Sequence, residues 1–540
     1  MRFFLLASAT LALLLLAIGG LMVSPYFWWV LAFLVPIACV IFYDAFQSKH
    51  AILRNFPLIG RSRYIAEWLR PKLYQYFIES DTDGKPVSRI FRSIAYQRAK
   101  KVNDTTPFGT QLNVYSEGYE WMNHSIAPLD HHDINHDPKV TVGGDDCTQP
   151  YDLSLLNVSA MSYGSLSANA IKALNGGAAI GGFAHNTGEG GISDHHRHYN
   201  GDLIYQIGTG YFGCRDKSGR FNAENFKKTI ANTNVKMIEL KLSQGAKPGH
   251  GGILPAKKVT PEIAKIRNVE LGQSVLSPPY HREFDSPKGL LRFLQQIREL
   301  SGGLPVGFKL CIGHRGEFIA ICKAMVETGI KPDFITVDGS EGGTGAAPLE
   351  FANSVGTPYR EGLALAYDTL VGFNIKKDIT LIAAGKIFTG FHMVRAIALG
   401  ADACYSARAM MMALGCIQAL ECNHNTCPVG VATTDRTLMK GLVVEDKKTR
   451  VANFHSETIK SFVELMAAAG IDNPDKITRR HVHRRIIMSK HMNYEEIYPY
   501  LTEGCLLDMS TCPDSWKKDV ASYTADSFQP RYEEVYIEED

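Results

Sequence analysis

A closed parallel (β/α)8 barrel of the α/β class, a TIM barrel with an N-terminal transmembrane helical hairpin and a helical C-terminal extension, is the fold this sequence predicts. Two observations carry that expectation. Between Leu153 and about Leu442, short apolar runs end repeatedly in glycine-rich polar loops and alternate with helical stretches, the rhythm of a parallel β/α architecture. Ahead of that region, Phe3 to Tyr43 contains no charged residue, enough apolar chain for two membrane spans.

The N-terminal stretch is taken first. Phe3 to Val23 and Tyr26 to Tyr43 are separated by Ser24-Pro25, which marks a turn. Tyr26, Trp28 and Trp29 suit a membrane interface, and Lys49, Arg54, Arg61 and Arg63 follow the second stretch. The excess of positive charge there predicts a hairpin in the inner (cytoplasmic) membrane, with the remainder of the chain facing the cytoplasm. A signal peptide is the competing reading, but its apolar core is shorter and a cleavage site follows it rather than a second span. One long cleaved or tilted span is the other possibility.

The chain divides accordingly into an anchor over 1–50, a connecting subdomain over 51–146, the barrel over 147–442 and an extension over 443–540. In the connecting segment Phe108-Gly109-Thr110 and Trp121-Met122-Asn123 are expected as packed turns. Its DHHDINHD run, with His131, His132 and His136, has metal-ligand chemistry but reads first as a solvated loop. The extension reads as helical, Ser456 to Ala469 included, and closes on an acidic tail, Glu533 to Asp540.

Eight runs in the barrel region are candidate strands: LLNVSAMS, GGFAHNTG, LIYQIGTG, KMIELKLSQG, PVGFKLCIG, DFITVDGSEGG, ITLIAAGK and ADACYSAR. Eight in a row close a barrel whose active site is built by the loops after each strand. No G-x-G-x-x-G turn follows an early strand, so a dinucleotide-binding sheet is the weaker reading. Strand parity in KMIELKL sends Met237, Glu239 and Lys241 to one face and Ile238, Leu240 and Leu242 to the other. Glu239 and Lys241 therefore point into the barrel, as do Lys309, Thr336 and Asp338 by the same count. Charges there persist only when paired or ligand-bound. The turns at Ser340 to Pro348 and Ala384-Gly385-Lys386, with Arg408 after the last strand, place small residues and a cation where such barrels hold phosphate.

Composition narrows the function classes. With 540 residues, 45% of them hydrophobic, the chain buries a large core. Its 57 Lys and Arg against 55 Asp and Glu leave a formal charge of +2, which gives no polyelectrolyte surface for nucleic acid. Eleven cysteines, clustered once, do not make a secreted disulfide framework and fit a reducing compartment. That cluster is Cys416, Cys422 and Cys427 in C-x5-C-x4-C spacing, with Pro428 directly after. Soft thiolates hold iron and sulfide, and proline after the last ligand recurs in ferredoxin-type runs. By spacing alone, three buried cysteines acting as small hydrophobes remain an equal reading.

The ordered set SAMSYGSLS, NTGEGG, KLSQGAKPGHGG, LPAKKVT, LSPPYH, DGSEGGTGAAP, AAGKIFTG and ALGCIQALECNHNTCPVGVATT resembles the FMN-binding synthase domain of glutamate synthase over roughly residues 150–442. The resemblance implies an oxidoreductase acting on CH–NH2 donors, with FMN and a [3Fe-4S] cluster, that reductively aminates 2-oxoglutarate to glutamate through 2-iminoglutarate. It further implies that Cys416, Cys422 and Cys427 hold the cluster. Ala160, Met161 and Ser162 would lie under the flavin ring with Lys309 near its reactive edge, and Gly343, Thr344, Gly345, Gly385 and Lys386 would line its phosphate and ribityl region. Glu189, Gln244, Lys247 and Arg267 would line the 2-oxoglutarate pocket. Lys and Arg suit a dicarboxylate, and Glu189 suits proton handling or imine positioning.

Departures from the family shape the remaining expectations. The chain begins Met1-Arg2-Phe3 rather than with a cysteine nucleophile, so ammonia is expected from solution or another subunit. A separate electron donor is expected: a ferredoxin, a pyridine-nucleotide reductase subunit or a quinone. Tyr211 stands where the family carries arginine, and the His195 to His198 run reads either as part of the site mouth or as an ordinary polar loop. A membrane-tethered flavin and iron–sulfur oxidoreductase with a different substrate is the alternative, and a catalytically idle scaffold is the third reading.

Overall fold

The computed structural model of the chain describes residues 1–102, 105–231 and 233–531. The expected acidic tail, Glu533 to Asp540, lies outside the described residues. Two compact units meet at Arg89/Ile90, inside the segment read as connecting.

The first unit opens with helix α1 (Arg2–Met22) and helix α2 (Tyr26–Phe46), each 21 residues long. By length and composition both are able to cross a membrane. The chain reverses at Ser24-Pro25, and Gly19 and Gly20 leave room for the rings of Phe27 and Trp28. Helix α3 (Ala51–Asn55), helix α4 (Arg61–Leu73) and a π-helical turn over Tyr74–Ile78 complete the unit.

The second unit is built on a closed barrel of eight parallel strands: β1 (Leu156–Val158), β2 (His185–Asn186), β3 (Leu203–Ile207), β4 (Val235–Lys241), β5 (Val306–Cys311), β6 (Phe334–Asp338), β7 (Thr380–Ala384) and β8 (Ala403–Ser406). Each falls within one of the eight apolar runs, except that β4 starts one residue ahead of its run, at Val235. The barrel shuts where β8 pairs with β1, Tyr405 opposite Asn157. Helices follow the strands, for example Ala168–Gly181 after β1, Pro287–Leu300 before β5 and Arg315–Thr328 after it.

The barrel interior is layered. At the bottom Ile204, Met237, Phe334, Ile382 and Ala403 form an apolar floor together with Val142 and Leu153, which come from an antiparallel pair over Lys139–Val142 and Tyr151–Ser154. Above that floor lies Glu239, fully buried, its Oε1 accepting from Asn186 Nδ2 at 2.8 Å and Gln206 Nε2 at 2.6 Å, its Oε2 from Thr336 Oγ1 at 2.7 Å. Lys241, Lys309 and Asp338 crown the layer, as the two-residue period of the strands requires.

Outside the barrel the structure departs from the pattern read in sequence. The helix expected from Ser456 begins at Val444 and runs to Ala468, because Val451, Ala452, Phe454 and His455 face inward. It packs against Ala168–Gly181, where Gly176 and Gly177 admit Lys448 and Val451. The extension is also not wholly helical: Val482–Ile487 and Lys490–Asn493 form a hairpin. Glu120–Met122 adds to it as a third strand, so Trp121 sits in a sheet rather than a packed turn. Phe108 is fully exposed, contrary to the packed turn expected there. Glu120 anchors this sheet. Burial would raise its pKa, but Arg395 and Arg360 outweigh that and hold it down, and Tyr494 Oη donates to it at 2.9 Å.

Glu239 gives the first prediction. Glu239→Gln keeps the volume but sets an amide donor against the amides of Asn186 and Gln206, so stability should fall by about 3 kcal/mol. The urea midpoint of the purified protein measures this, and an unchanged midpoint would show that the carboxylate does not organise the interior.

Candidate functional site

The site forms at the C-terminal rim of the barrel. Lys241 ends β4 and its Nζ lies 2.9 Å from Glu189 Oε2, on the loop after β2. The same Nζ donates to Gln244 Oε1 at 3.2 Å. Gln244 and Lys247 sit on the loop after β4. Gln244 Nε2 donates to Thr344 Oγ1 at 3.4 Å and Lys247 Nζ to Ala346 O at 2.8 Å, binding this loop to the glycine-rich loop after β6. The approach is close at Gly245, where a Cβ would fall 1.6 Å from Gly339 O, so only glycine fits.

Arg267 closes the fourth side of the cluster from the end of the helix Pro261–Arg267. Its Nη2 donates to Tyr163 O at 2.9 Å and Ser162 Oγ at 3.3 Å, and its guanidinium lies 5.0 Å from the Phe212 ring centroid. Lys241, Lys247 and Arg267 are all buried. Burial pushes Lys247 down to about 8 and Arg267 down to about 10, each partly offset by Glu189. Burial would likewise raise Glu189, but Lys241, and then Arg267 and Lys247, hold it below the usual carboxylate range. Three buried cations thus share one carboxylate, which leaves two positive charges without a partner. Glu189 Oε2 is taken by the Lys241 ammonium, while buried Arg267 Nε finds no hydrogen-bond partner among the described residues. A carboxylate ligand is the chemistry that would satisfy that Nε and the two excess charges.

A second buried chain positions Lys241, and sequence reasoning missed it. Arg282 N donates to Tyr211 Oη at 3.2 Å, and Tyr211 Oη lies 2.9 Å from His281 Nδ1. His281 Nε2 lies 2.9 Å from Lys241 O. Burial pushes His281 down to about 4. The neutral ring then accepts at Nδ1 from the tyrosine and donates from Nε2 to the carbonyl. Tyr211, at φ 48°, replaces an expected arginine with a neutral prop, consistent with a pocket already rich in cations. The LSPPYH run contains His281, but nothing in its spacing signals this pairing.

The flavin expectations gather around the same rim. Ala160, Met161 and Ser162 follow β1, where a Cβ on Gly188 would meet Ser162 N at 2.6 Å. Lys309 on β5 pairs with Asp338 at 3.1 Å. Burial would lower its pKa, but Asp338 and then Glu239 raise it, and the ammonium is secure. Asp338 also accepts from Gly245 N at 3.2 Å. Across the rim Arg408, half-buried, donates to Glu341 O at 2.6 Å, and the absent Cβ of Gly343 admits it at 3.1 Å. Thr344 and Gly345 continue this loop. Gly385 and Lys386 follow β7, with Gly385 pressed against the Tyr359 ring. A half-buried guanidinium beside a glycine loop fits an anionic phosphate, and the residues present fit FMN on that count.

Cys416, Cys422 and Cys427 carry free thiols just beyond β8. Burial pushes Cys416 up to about 11 and raises Cys422, with charge on neighbouring thiols adding to both. The loop between them is contorted: Gln418, Leu420 and Asn425 all take positive φ, 56°, 59° and 66°. For leucine this costs about 1 kcal/mol or more and persists where the surroundings over-determine it. Lys258 of LPAKKVT lies beside them. It is buried, its Nζ donates to Ala432 O at 3.1 Å and Ser165 O at 3.3 Å, and burial lowers its pKa against an opposing pull from Cys422 and Cys427. Soft donors with an adjacent cation fit an anionic iron–sulfur cluster.

The histidine runs stay outside this arrangement. His195 pairs with Glu262 at 3.0 Å, and buried His196 bonds Ser193 Oγ at 2.9 Å within a short capped turn. The ligand atoms of Asp130, His131 and His132 lie within 4.8 Å of one another on an exposed turn.

Comparison with known proteins matches residues 105–472 to the model of the conserved region in glutamate synthase. The glutamate synthase large subunit-like protein YerD of Bacillus subtilis (strain 168) is 38% identical over 488 residues, 83% of this chain and 92% of that protein. An archaeal-type glutamate synthase (NADPH) of Thermotoga neapolitana is 35% identical over 315 residues, 58% of this chain and 59% of that protein. Among solved structures, a mutant flavocytochrome b2 with pyruvate bound aligns at a TM-score of 0.41 and 12% identity, covering 78% of this chain and 85% of that one.

Lys241→Met leaves the Glu189 carboxylate buried without its nearest cation. Stability should drop by about 3–5 kcal/mol, and the Lys241→Met, Glu189→Gln double variant should recover most of it. The check is urea denaturation of both variants.

Proposed function

This chain belongs to the glutamate synthase family, a family of oxidoreductases, and from that premise we propose that it reductively aminates 2-oxoglutarate to glutamate with FMN and a [3Fe-4S] cluster. The nitrogen donor in this reading is ammonia delivered from solution or another subunit. A separate electron donor and an N-terminal membrane anchor with the barrel on the cytoplasmic side complete it. The observation that carries the reading is the pocket of Lys241, Lys247 and Arg267 around Glu189, whose two uncompensated positive charges match a dicarboxylate.

The chain's own residues then divide the work. Arg267 grips one carboxylate through its fork, fixed in orientation by Tyr163 O and Phe212. Lys247, tied to Ala346 O, meets the other carboxylate together with Gln244. Glu189, its Oε2 paired with Lys241 at 2.9 Å, takes a proton from the ammonia nitrogen as it adds to C2 and returns it to the C2 oxygen, which leaves as water when the imine forms. Once bound, the dianion cancels the excess charge, and Lys241 remains as the standing partner of Glu189. The flavin, when bound, supplies the hydride and the cluster the path by which electrons reach it. Loops tied to one another at Gly245 and Gly339 exclude water that would hydrolyse the imine.

The direct test uses the purified full chain in detergent under anaerobic conditions, with 2-oxoglutarate, ammonium and a reduced dye. Glutamate should form. FMN and cluster present without glutamate would sink this reading and favour the same cofactors acting on another substrate. Arg267→Gln should raise KM for 2-oxoglutarate by roughly a hundredfold, the loss of a charge-assisted bidentate grip.

The alkaline limb of the pH profile is also fixed. Lys247, held at about 8 against an ordinary 10.5, keeps its proton below about pH 8 and loses it above. At saturating ammonium, kcat/KM for 2-oxoglutarate should therefore fall about tenfold per pH unit above that point. Lys247→Arg, which stays protonated, should abolish that limb.

A further inference from the structure

Residues 49–78 hold six basic residues, Lys49, Arg54, Arg61, Arg63, Arg70 and Lys72, against a single acidic one, Glu67. Within helix α4 and the π-helical turn after it, Ile65, Trp68, Leu69, Leu73, Tyr76 and Phe77 recur at spacings of three and four, one stripe along the axis. That stripe is left in the open, with Trp68 64% and Phe77 81% exposed. Lys72 Nζ lies 3.4 Å from the centroid of the Trp68 ring, a cation set at the edge of the apolar stripe.

The helix is also fixed in place. Asp44, fully buried near the end of α2, accepts from Arg61 Nε at 2.8 Å, Arg61 Nη2 at 2.7 Å and Leu58 N at 3.1 Å. This clamp ties the first residue of α4 to the end of the second apolar helix, within one compact unit. The stripe therefore continues from a helix whose own apolar side chains face outward.

Resting on the membrane anchor proposed above, we infer that residues 61–78 are an interfacial element that lies on the surface of an anionic bilayer, apolar stripe in the acyl boundary and basic residues at the headgroups. A basic, aromatic-rich amphipathic helix is the chemistry such a surface recognises. A second copy of the same face would bring like charges together. The Asp44–Arg61 clamp holds the helix at the level where α2 leaves the bilayer, so docking needs little further ordering of the chain.

The test follows amide hydrogen exchange over residues 61–78 in the full chain, reconstituted in nanodiscs of phosphatidylcholine alone or with phosphatidylglycerol. Exchange should slow roughly tenfold in the anionic discs. The slowing should shrink in high salt and in Arg70→Gln, Lys72→Gln, and vanish in Trp68→Glu, Phe77→Glu. Equal exchange in both discs and in detergent would overturn the inference, as would slowing that depends on protein concentration, which would mark a second copy as the occupant. Retention of the chain in membranes after an alkaline wash separates the two readings. A chain released by the wash removes the anchor and this inference with it. A chain retained, yet indifferent to lipid charge, removes this inference alone.

Discussion

The ion pair between Lys241 and Glu189 is the interaction on which the site depends. A lysine and a glutamate taken into a barrel interior each carry a desolvation penalty of several kcal/mol, which only a close partner offsets. The pair fixes the end of β4 against the loop after β2. Through Gln244 and Thr344 it reaches the loop after β6, and through the Lys241 carbonyl it is braced by His281 and Tyr211. Apart from the exposed Gln244–Thr344 contact, those links are buried or half-buried, so a shift at one is felt at the others.

Below this pair the interior becomes less polar by steps. Glu239 is held by three donors, and beneath it the floor is largely apolar. The gradient puts low dielectric under the reacting end of the barrel, where fixed charges act most strongly. The cysteine loop lies past β8 and reaches the same rim through Lys258, whose ammonium bridges the carbonyls of Ser165 and Ala432. One buried cation thus joins the loop after β1 to the cysteine loop.

Much of this was legible in the sequence, and the physical reason is the two-residue period of strands. It placed Glu239, Lys241, Lys309, Thr336 and Asp338 inward, and all five are buried inside. The eight apolar runs located the eight strands because most of them end in a loop rich in glycine, where the chain must turn at the rim. What escaped was long-range pairing. Nothing in the order of residues relates Tyr211 to His281 or Glu120 to Arg360 and Arg395. The hairpin over Val482–Ile487 and Lys490–Asn493 escaped for a different reason: its side chains are mostly half-buried or exposed, so no clean alternation of apolar and polar residues announces it.

The points where the structure stops satisfying itself coincide with the points where sequence logic asked for a ligand. An interior built for stability alone would match three cations with three anions, or would hold none. Here Lys241 is matched, while Lys247 and Arg267 make hydrogen bonds to neutral oxygens and share the one carboxylate. Burial without full pairing is a cost, visible in the lowered pKa values of Lys247 and Arg267. Folded proteins retain such local costs where function requires them and offset them elsewhere. The offset is in reach: Glu239, with both oxygens hydrogen-bonded, and Lys309, secured by Asp338, make the layer beneath rigid enough to hold an undercompensated pocket open. A dianion entering that pocket removes the deficit without any rearrangement of the barrel, and its binding energy then comes from charges already in place.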